Sequence, residues 1–514
     1  MRFRPNSFYR RDTTRIRPRT SIHAMNSGPS TGTSTFWIKG TGKTRDTPGP
    51  SVSRVQHPLV MPYPIASRSG SWLEFGFCVL GVVGVLASIL PGFHPREWQA
   101  SGSDLKTLYA STACFRTHID AYSFTNIAAV FNANRVVPPE SWYAHAPVYP
   151  PFTLAAIAPL TFLPMVGAVY VWLIVASLAW AFATYSLVRA AEASFHISLP
   201  WRTLLIAFAA ASPLASFSLE MGNVSAVVAA LCIAAVAMPR QRWSSLNLRA
   251  LALCLGLLLK PHLAIWFVVA LLISQARKDR AIGARALGFF VLACLAVVSW
   301  MGAHHILFAQ VESYRAMVAA ETHGGSMAAS NDEFIAVAAQ ITSLASLLGY
   351  WIHSKALAVL AAAGLAVCAA LLVAATWPRA DDDDSSRLLR FAAWSAFGLI
   401  ATYHRAHDGI VLLVLLPYVV ARLRTSWHDW FAWSYLLLSL AAGLGPPLQT
   451  INWLASTPGI GGAARFLAYR QSSLAFLLLL LLVVAQAYRR QTHATQIVSD
   501  RDEEMYEEQW RAAS

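Results

Sequence analysis

The chain has 514 residues, enough for two or three soluble domains, but 56% of them are hydrophobic and only 13% charged; soluble domains carry about 25% charged residues. That balance excludes a water-soluble enzyme, a fibre and a disordered protein, and it places the chain in lipid. The formal charge of +14 is concentrated: residues 1–71 hold 12 of the 40 Lys and Arg and only two acids, Asp12 and Asp46, so nucleic-acid binding does not follow from the basic excess.

Residues 1–71 are rich in Ser, Thr, Pro, Gly and Arg and lack apolar periodicity, the composition of a disordered arm. Such an arm either lies on anionic lipid or is a solvated tail, and Met25 and Met61 offer alternative starts. A membrane-crossing helix needs roughly 20 mostly apolar residues. Apolar runs at 72–92, 165–188, 203–219, 223–239, 250–260, 262–276, 286–301, 356–377, 389–402, 409–421, 430–444 and 471–487 predict about twelve crossings, an all-α polytopic membrane domain over 72–490. Stretches 150–163 and 334–350 are broken by prolines or polar residues and are expected as re-entrant or interfacial helices. Residues 491–514 form a polar tail. The cysteines, Cys78, Cys114, Cys232, Cys254, Cys294 and Cys368, show no CxxC spacing, so neither a disulfide framework nor a zinc site is expected.

The positive-inside rule orients these crossings. With the arm in the cytoplasm, Arg240, Arg242, Arg249 and the Arg277, Lys278, Arg280, Arg285 cluster share its side, as do Arg422, Arg424, Arg489 and Arg490. The polar groups that topology does not need then collect outside. They are Asp104 in the first external loop (93–149), Glu220 to Asn223, Lys260 to His262, the 302–335 loop and Tyr403 to Asp408. Ionisable groups at membrane depth are costly and mark function.

Asp104 stands just beyond the first run, where a carboxylate serves either as general base toward a hydroxyl or as a helix N-cap. Asp120 and Tyr122 read as turn-shaping residues. Lys260, between two apolar runs beside Pro261 and His262, either snorkels to the interface or receives a lipid phosphate. Tyr403, His404, Arg405, His407 and Asp408 crowd one short connection, which an ordinary loop does not need. A metal site from His404, His407 and Asp408 is a weak reading of that spacing, and none is expected. No Walker, dinucleotide or GxSxG element is present in the sequence, which leaves ATP hydrolysis and serine chemistry without support.

The order Asp104 and Tyr109, Asp120-Ala-Tyr122, Tyr149-Pro-Pro-Phe with Ala-Pro-Leu and Leu163-Pro164, Gly222-Asn223, Lys260-Pro261 and Tyr403 to Asp408 resembles glycosyltransferase family 87, over residues 72–490. Asn223 stands where that family commonly has Gln. The resemblance implies a GT-C type fold and transfer of a hexose, mannose in this family, from a polyprenyl-phosphate donor to a glycan or glycolipid acceptor. It places the reaction on the extracytoplasmic face of the inner membrane, with Asp104 as the base. It needs no cofactor beyond the lipid-linked donor. Lys260, His262 and Arg405 would neutralise the donor phosphate. Substrate-binding candidates are Tyr109, Asp120, Tyr122, Tyr149, Asn223, His404, His407 and Asp408, while Trp142, Tyr143 and Tyr149 either stack on sugar or isoprene or form an interfacial belt. One base and in-line displacement imply inversion, because double displacement needs a second carboxylate as nucleophile. A secondary transporter or a lipid-flipping membrane protein is the alternative, and the transporter would show inverted repeats with charges at mid-membrane.

Overall fold

The computed structural model describes residues 70–89, 102–136, 148–238, 246–323, 341–352, 354–375, 383–402, 404–444 and 462–513, with Trp453 and Thr457. The basic arm up to Arg68, the 93–101 segment, Trp142, Tyr143, residues 324–340 and Tyr403 lie outside the described residues.

Each apolar run carries a helix, because an unbroken apolar stretch leaves its backbone groups no partner but one another. The first is α1 (Gly70–Ile89), followed by α2 (Ser103–Arg116) and α3 (Phe124–Ala133), which occupy the first long loop. The proline-broken stretch forms only a short α4 (Pro151–Ile157), tightening into a 3-10 turn at Ala158–Phe162. Its Thr153 Oγ1 donates to the Leu258 carbonyl at 2.7 Å. The long α5 (Met165–Phe195) leads to α6 (Leu199–Ala210) and α7 (Pro213–Glu220), which are bent by 43° at their junction, where Pro213 starts the second helix. Among the described residues, five helices are long and apolar enough to cross a membrane, or six if this bent pair is one span. The chain is an all-helical membrane protein.

Three shorter helices follow: α8 (Val224–Ala237), α9 (Leu246–Leu259) and α10 (Pro261–Leu272). Helices α9 and α10 double back on each other at Lys260. A Cβ on Gly256 would meet the Ala264 Cβ at 3.3 Å, although eight residues of continuous helix would separate them by about 12 Å. Pro261 at the first position of α10 ends one helix and starts the next, since it has no N–H to continue the ladder. Next come α11 (Arg277–Ala303), the surface helix α12 (Leu307–His323), α13 (Leu344–Gly349), α14 (Lys355–Ala375) and α15 (Asp384–Ala401). The chain then forms the two-residue strand β2 (His404–Arg405), antiparallel to β1 (Ile341–Thr342), with Thr342 opposite His404. A ten-residue 3-10 helix, Ala406–Leu415, runs into α16 (Leu416–Thr425). Runs of 3-10 beyond three or four residues are uncommon and often mark functional strain. Helices α17 (Trp430–Leu444) and α18 (Gly462–Ala513, kinked at Arg470) complete the bundle.

One end of the bundle is closed by buried ion pairs. Arg189 near the end of α5 binds Glu74 of α1 at 3.2 Å and Glu192 at 2.5 Å, and Arg202 of α6 completes the group. Arg387 of α15 donates to Asp279 of α11 at 3.1 Å and to the Val236 carbonyl of α8 at 2.7 Å. Asp383 caps α15 through the Ser386 N–H and pairs with Arg490 at 2.6 Å, well away from the ionic groups at the far end of that helix. Arg490 is one of the residues that the sequence assigns to orientation, whereas Arg189 and Arg387 are buried in the bundle. Their burial makes them packing partners, since removing one partner strands the other charge.

Candidate active site

At the opposite end, turns from distant parts of the chain meet. Gly102 precedes α2 with φ 82°, and its N–H donates to the Glu220 carbonyl at 2.7 Å. The Asp104 N–H donates to Met221 at 3.1 Å. Gly222 has φ 61°, and a Cβ there would lie 3.1 Å from the Gly102 Cα. Two glycines in the left-handed region thus let the start of α2 lie directly on the turn before α8. Asn223 caps α8: its Oδ1 accepts from the Ser225 N–H at 2.8 Å, which turns Nδ2 outward to donate to Asp104 Oδ2 at 2.6 Å. Arg405 Nη1 lies 3.6 Å from Asp104 Oδ1. Asp104 therefore does not cap its own helix, and its carboxylate is held across the gap by Asn223 and Arg405.

A substitution at Gly222 tests this backbone contact. Gly222→Ala is expected to cost roughly 1–3 kcal/mol of stability through its left-handed φ and the contact with Gly102. An activity that depends on Asp104 should fall further than stability, because a displacement of about 1 Å at a reacting group costs on the order of 100-fold. Thermal melting and enzymatic activity on the same membranes check it, and a melt shift with unchanged activity would separate Asp104 from the chemistry of the site.

The second group centres on Lys260 at the tip of the α9–α10 hairpin. Its ammonium is buried and donates to Asp408 Oδ1 at 2.6 Å, to Ser225 Oγ at 2.8 Å and, more weakly, to Asn223 Oδ1 at 3.4 Å. Three donors are all an ammonium has. Asp408 Oδ2 in turn accepts from His404 Nδ1 at 2.8 Å and from the Arg405 N–H at 3.4 Å. The His262 ring lies 4.8 Å from the His404 ring, and the His407 ring packs 5.5 Å from Phe217. Burial holds the His404 imidazole below its ordinary range in spite of Asp408. Asn223 and Ser225 thus join the Asp104 and Asp408 groups into one network.

Tyr149 belongs to it as well. Its phenol bonds Asn223, and burial, with Asp104 and Asp408 nearby, holds it well above its usual range, so it stays neutral. The remaining candidates are placed elsewhere. Tyr122 donates to the Tyr149 carbonyl at 2.7 Å and supports that residue from behind. Asp120 accepts from the Tyr122 N–H at 2.9 Å and from Ser313 of α12 at 3.0 Å, fastening the turn after α2 to the surface helix. Tyr109 donates to the Leu163 carbonyl at 2.6 Å. Ser225 escaped the sequence reading. The signal available was its place two residues after a capping Asn, which turns its hydroxyl toward the same helix end.

His262, His404 and Asp408 offer metal-ligand atoms within 4.8 Å of one another. Both Asp408 oxygens are already engaged, one by the Lys260 ammonium and the other by His404. A divalent ion bound to Asp408 would lie against that ammonium, a like-charge contact that a buried site penalises heavily. The residues do not fit a resident cation.

The family model for glycosyltransferase family 87 matches residues 148–403. The chain belongs to this family. It is therefore a glycosyltransferase, an enzyme that takes a sugar donor and an acceptor. No curated protein and no solved structure matches it. The matched residues include Tyr149, Asn223, Lys260 and His262. Asp104 and the His404 to Asp408 group lie outside the match, and their hydrogen bonds attach them to this family 87 core.

Proposed function

We propose that the enzyme moves a hexose, mannose, from a polyprenyl-phosphate donor to a hydroxyl of a glycan or glycolipid on the extracytoplasmic face of the inner membrane, with inversion. The reading includes a GT-C arrangement with about twelve crossings, in which flanking residues complete the shorter helices; the five or six helices long and apolar enough to cross a membrane support its membrane setting. The observation that carries it is Asp104. Its side chain is 20% exposed, against 2% for Asp408, so it is the carboxylate of the network that an acceptor reaches.

Asp104 takes the proton of the attacking hydroxyl, while Asn223 and Arg405 hold the carboxylate in place. The bond from the anomeric carbon to the phosphate oxygen breaks as the new glycosidic bond forms on the opposite face. Charge grows on the departing phosphate, where Arg405, Lys260 and His262 stabilise it. Lys260 serves by exchanging its long bond to Asn223 for a phosphate oxygen while it keeps Asp408.

Sealed membrane vesicles of defined orientation test the reading. Radiolabelled polyprenyl-phosphate-mannose should yield labelled acceptor when the extracytoplasmic face is accessible, without permeabilisation. Transfer only after permeabilising such vesicles would reverse the face. Solute uptake without transfer would replace the donor reading with a transporter.

A further inference from the structure

The network contains a buried acceptor that the phosphate chemistry does not use. His404 is 1% exposed, and its Nδ1 lies 2.8 Å from Asp408 Oδ2. Asp408 is ion-paired with Lys260 and accepts only, so Nδ1 carries the proton and donates. In a neutral ring Nε2 is then a bare lone pair. Among the described residues that nitrogen is buried with no hydrogen-bond partner. A buried polar atom left so is costly and calls for a partner, which at a substrate site a ligand hydroxyl can supply. A lone pair repels phosphate oxygen and accepts a hydroxyl proton. A glycosyl phosphodiester carries hydroxyls only on its sugar.

We propose that His404 Nε2 accepts a hydrogen bond from one hydroxyl of the donor hexose and so acts as a sugar-reading residue, positioned by Asp408. This rests on the lipid-phosphate donor reading above. The assignment to donor rather than acceptor follows from connectivity. His404 and Lys260 share the Asp408 carboxylate, one on each oxygen, so the ligand that presents phosphate to the ammonium presents its sugar to the imidazole. The acceptor side is Asp104, which joins this pair one residue removed, through Asn223 and through Arg405, whose side chain faces Asp104 while its N–H donates to Asp408. Residue 404 thereby reads the sugar while residue 408 balances the charge.

The test is equilibrium binding of a short-chain polyprenyl-phosphate-mannose, its 2-, 3-, 4- and 6-monodeoxy forms and sugar-free polyprenyl phosphate to purified protein. Wild type should bind one monodeoxy donor roughly tenfold to a hundredfold more weakly than the parent. His404→Asn keeps an N–H toward Asp408 and removes the distal acceptor. It should weaken the parent donor by a similar factor, show no further loss with that one analogue, and bind sugar-free polyprenyl phosphate as wild type does. His404→Gln, which restores an acceptor near the Nε2 position, should recover much of the affinity. Wild-type binding that is indifferent to every single deoxygenation overturns the proposal, even if no His404 variant folds. So does equal loss of sugar-free polyprenyl phosphate in His404→Asn, which would make the imidazole a phosphate ligand. If the deoxy effect persists undiminished in His404→Asn, the hydroxyl is read elsewhere and the proposal fails. Wild type that binds neither the mannosyl lipid nor the bare lipid phosphate defeats the donor reading, and this inference with it.

Discussion

Asp104→Asn is expected to lower sugar transfer by about 10²–10⁴, the usual cost of losing a general base, while the protein still inserts and binds donor. The side chain keeps its size, and its remaining oxygen still accepts from Asn223 Nδ2. What is lost is the basic oxygen and the charge facing Arg405. Asp120→Asn is the matched control. Asp120 accepts from the Tyr122 N–H and from Ser313, bonds that an amide largely preserves, so its loss should stay below roughly tenfold. Turnover at saturating donor, measured at equal protein abundance, decides. Retained activity in Asp104→Asn with loss in Asp120→Asn would move the base to Asp120, and retained activity in both would end the single-carboxylate mechanism.

Lys260→Ala is expected to damage the enzyme twice. It strands the Asp408 carboxylate, which is buried against His404, at a cost of about 3–5 kcal/mol for breaking a buried pair from one side. It also removes an ammonium from the site of leaving-group charge. The two effects separate in the double variant Lys260→Met with Asp408→Asn, which carries no unpaired charge. Thermal stability should return to within about 1–2 kcal/mol of wild type, because replacing both members of a buried pair is often near neutral. Activity should not return, and the donor KM should stay raised with kcat lowered, the pattern of an interaction that strengthens in the transition state. Recovery of activity together with stability would make Lys260 a structural partner of Asp408 and leave Arg405 as the phosphate's cation.

The sequence by itself determined the class of the protein and its breakpoints. Long apolar runs in lipid have no backbone partner but themselves, so helices at 165–188, 286–301 and 471–487 follow from composition alone. Pro261 and the polar break from Glu220 to Asn223 mark where helices stop, because a missing N–H or a polar interruption acts locally, whereas the bend at Pro213 falls inside a run, 203–219, that reads as a single crossing. Asp104, Lys260 and Asp408 stood out for the same reason: a charge beside apolar runs is expensive wherever the chain goes next. Only the tertiary structure decided which charges pair. Lys260 and Asp408 are 148 positions apart, and Asn223 and Asp104 are 119 apart. Their meeting depends on the α9–α10 hairpin and on the contact of Gly102 with Gly222, which no periodicity encodes. The same packing drew Asp120 away to α12, brought Ser225 into the network, and left His404 Nε2 buried beside a carboxylate already balanced by an ammonium. Pattern reveals a costly residue because the cost is local, whereas its partner is fixed by the fold, which brings distant turns to one end of the bundle.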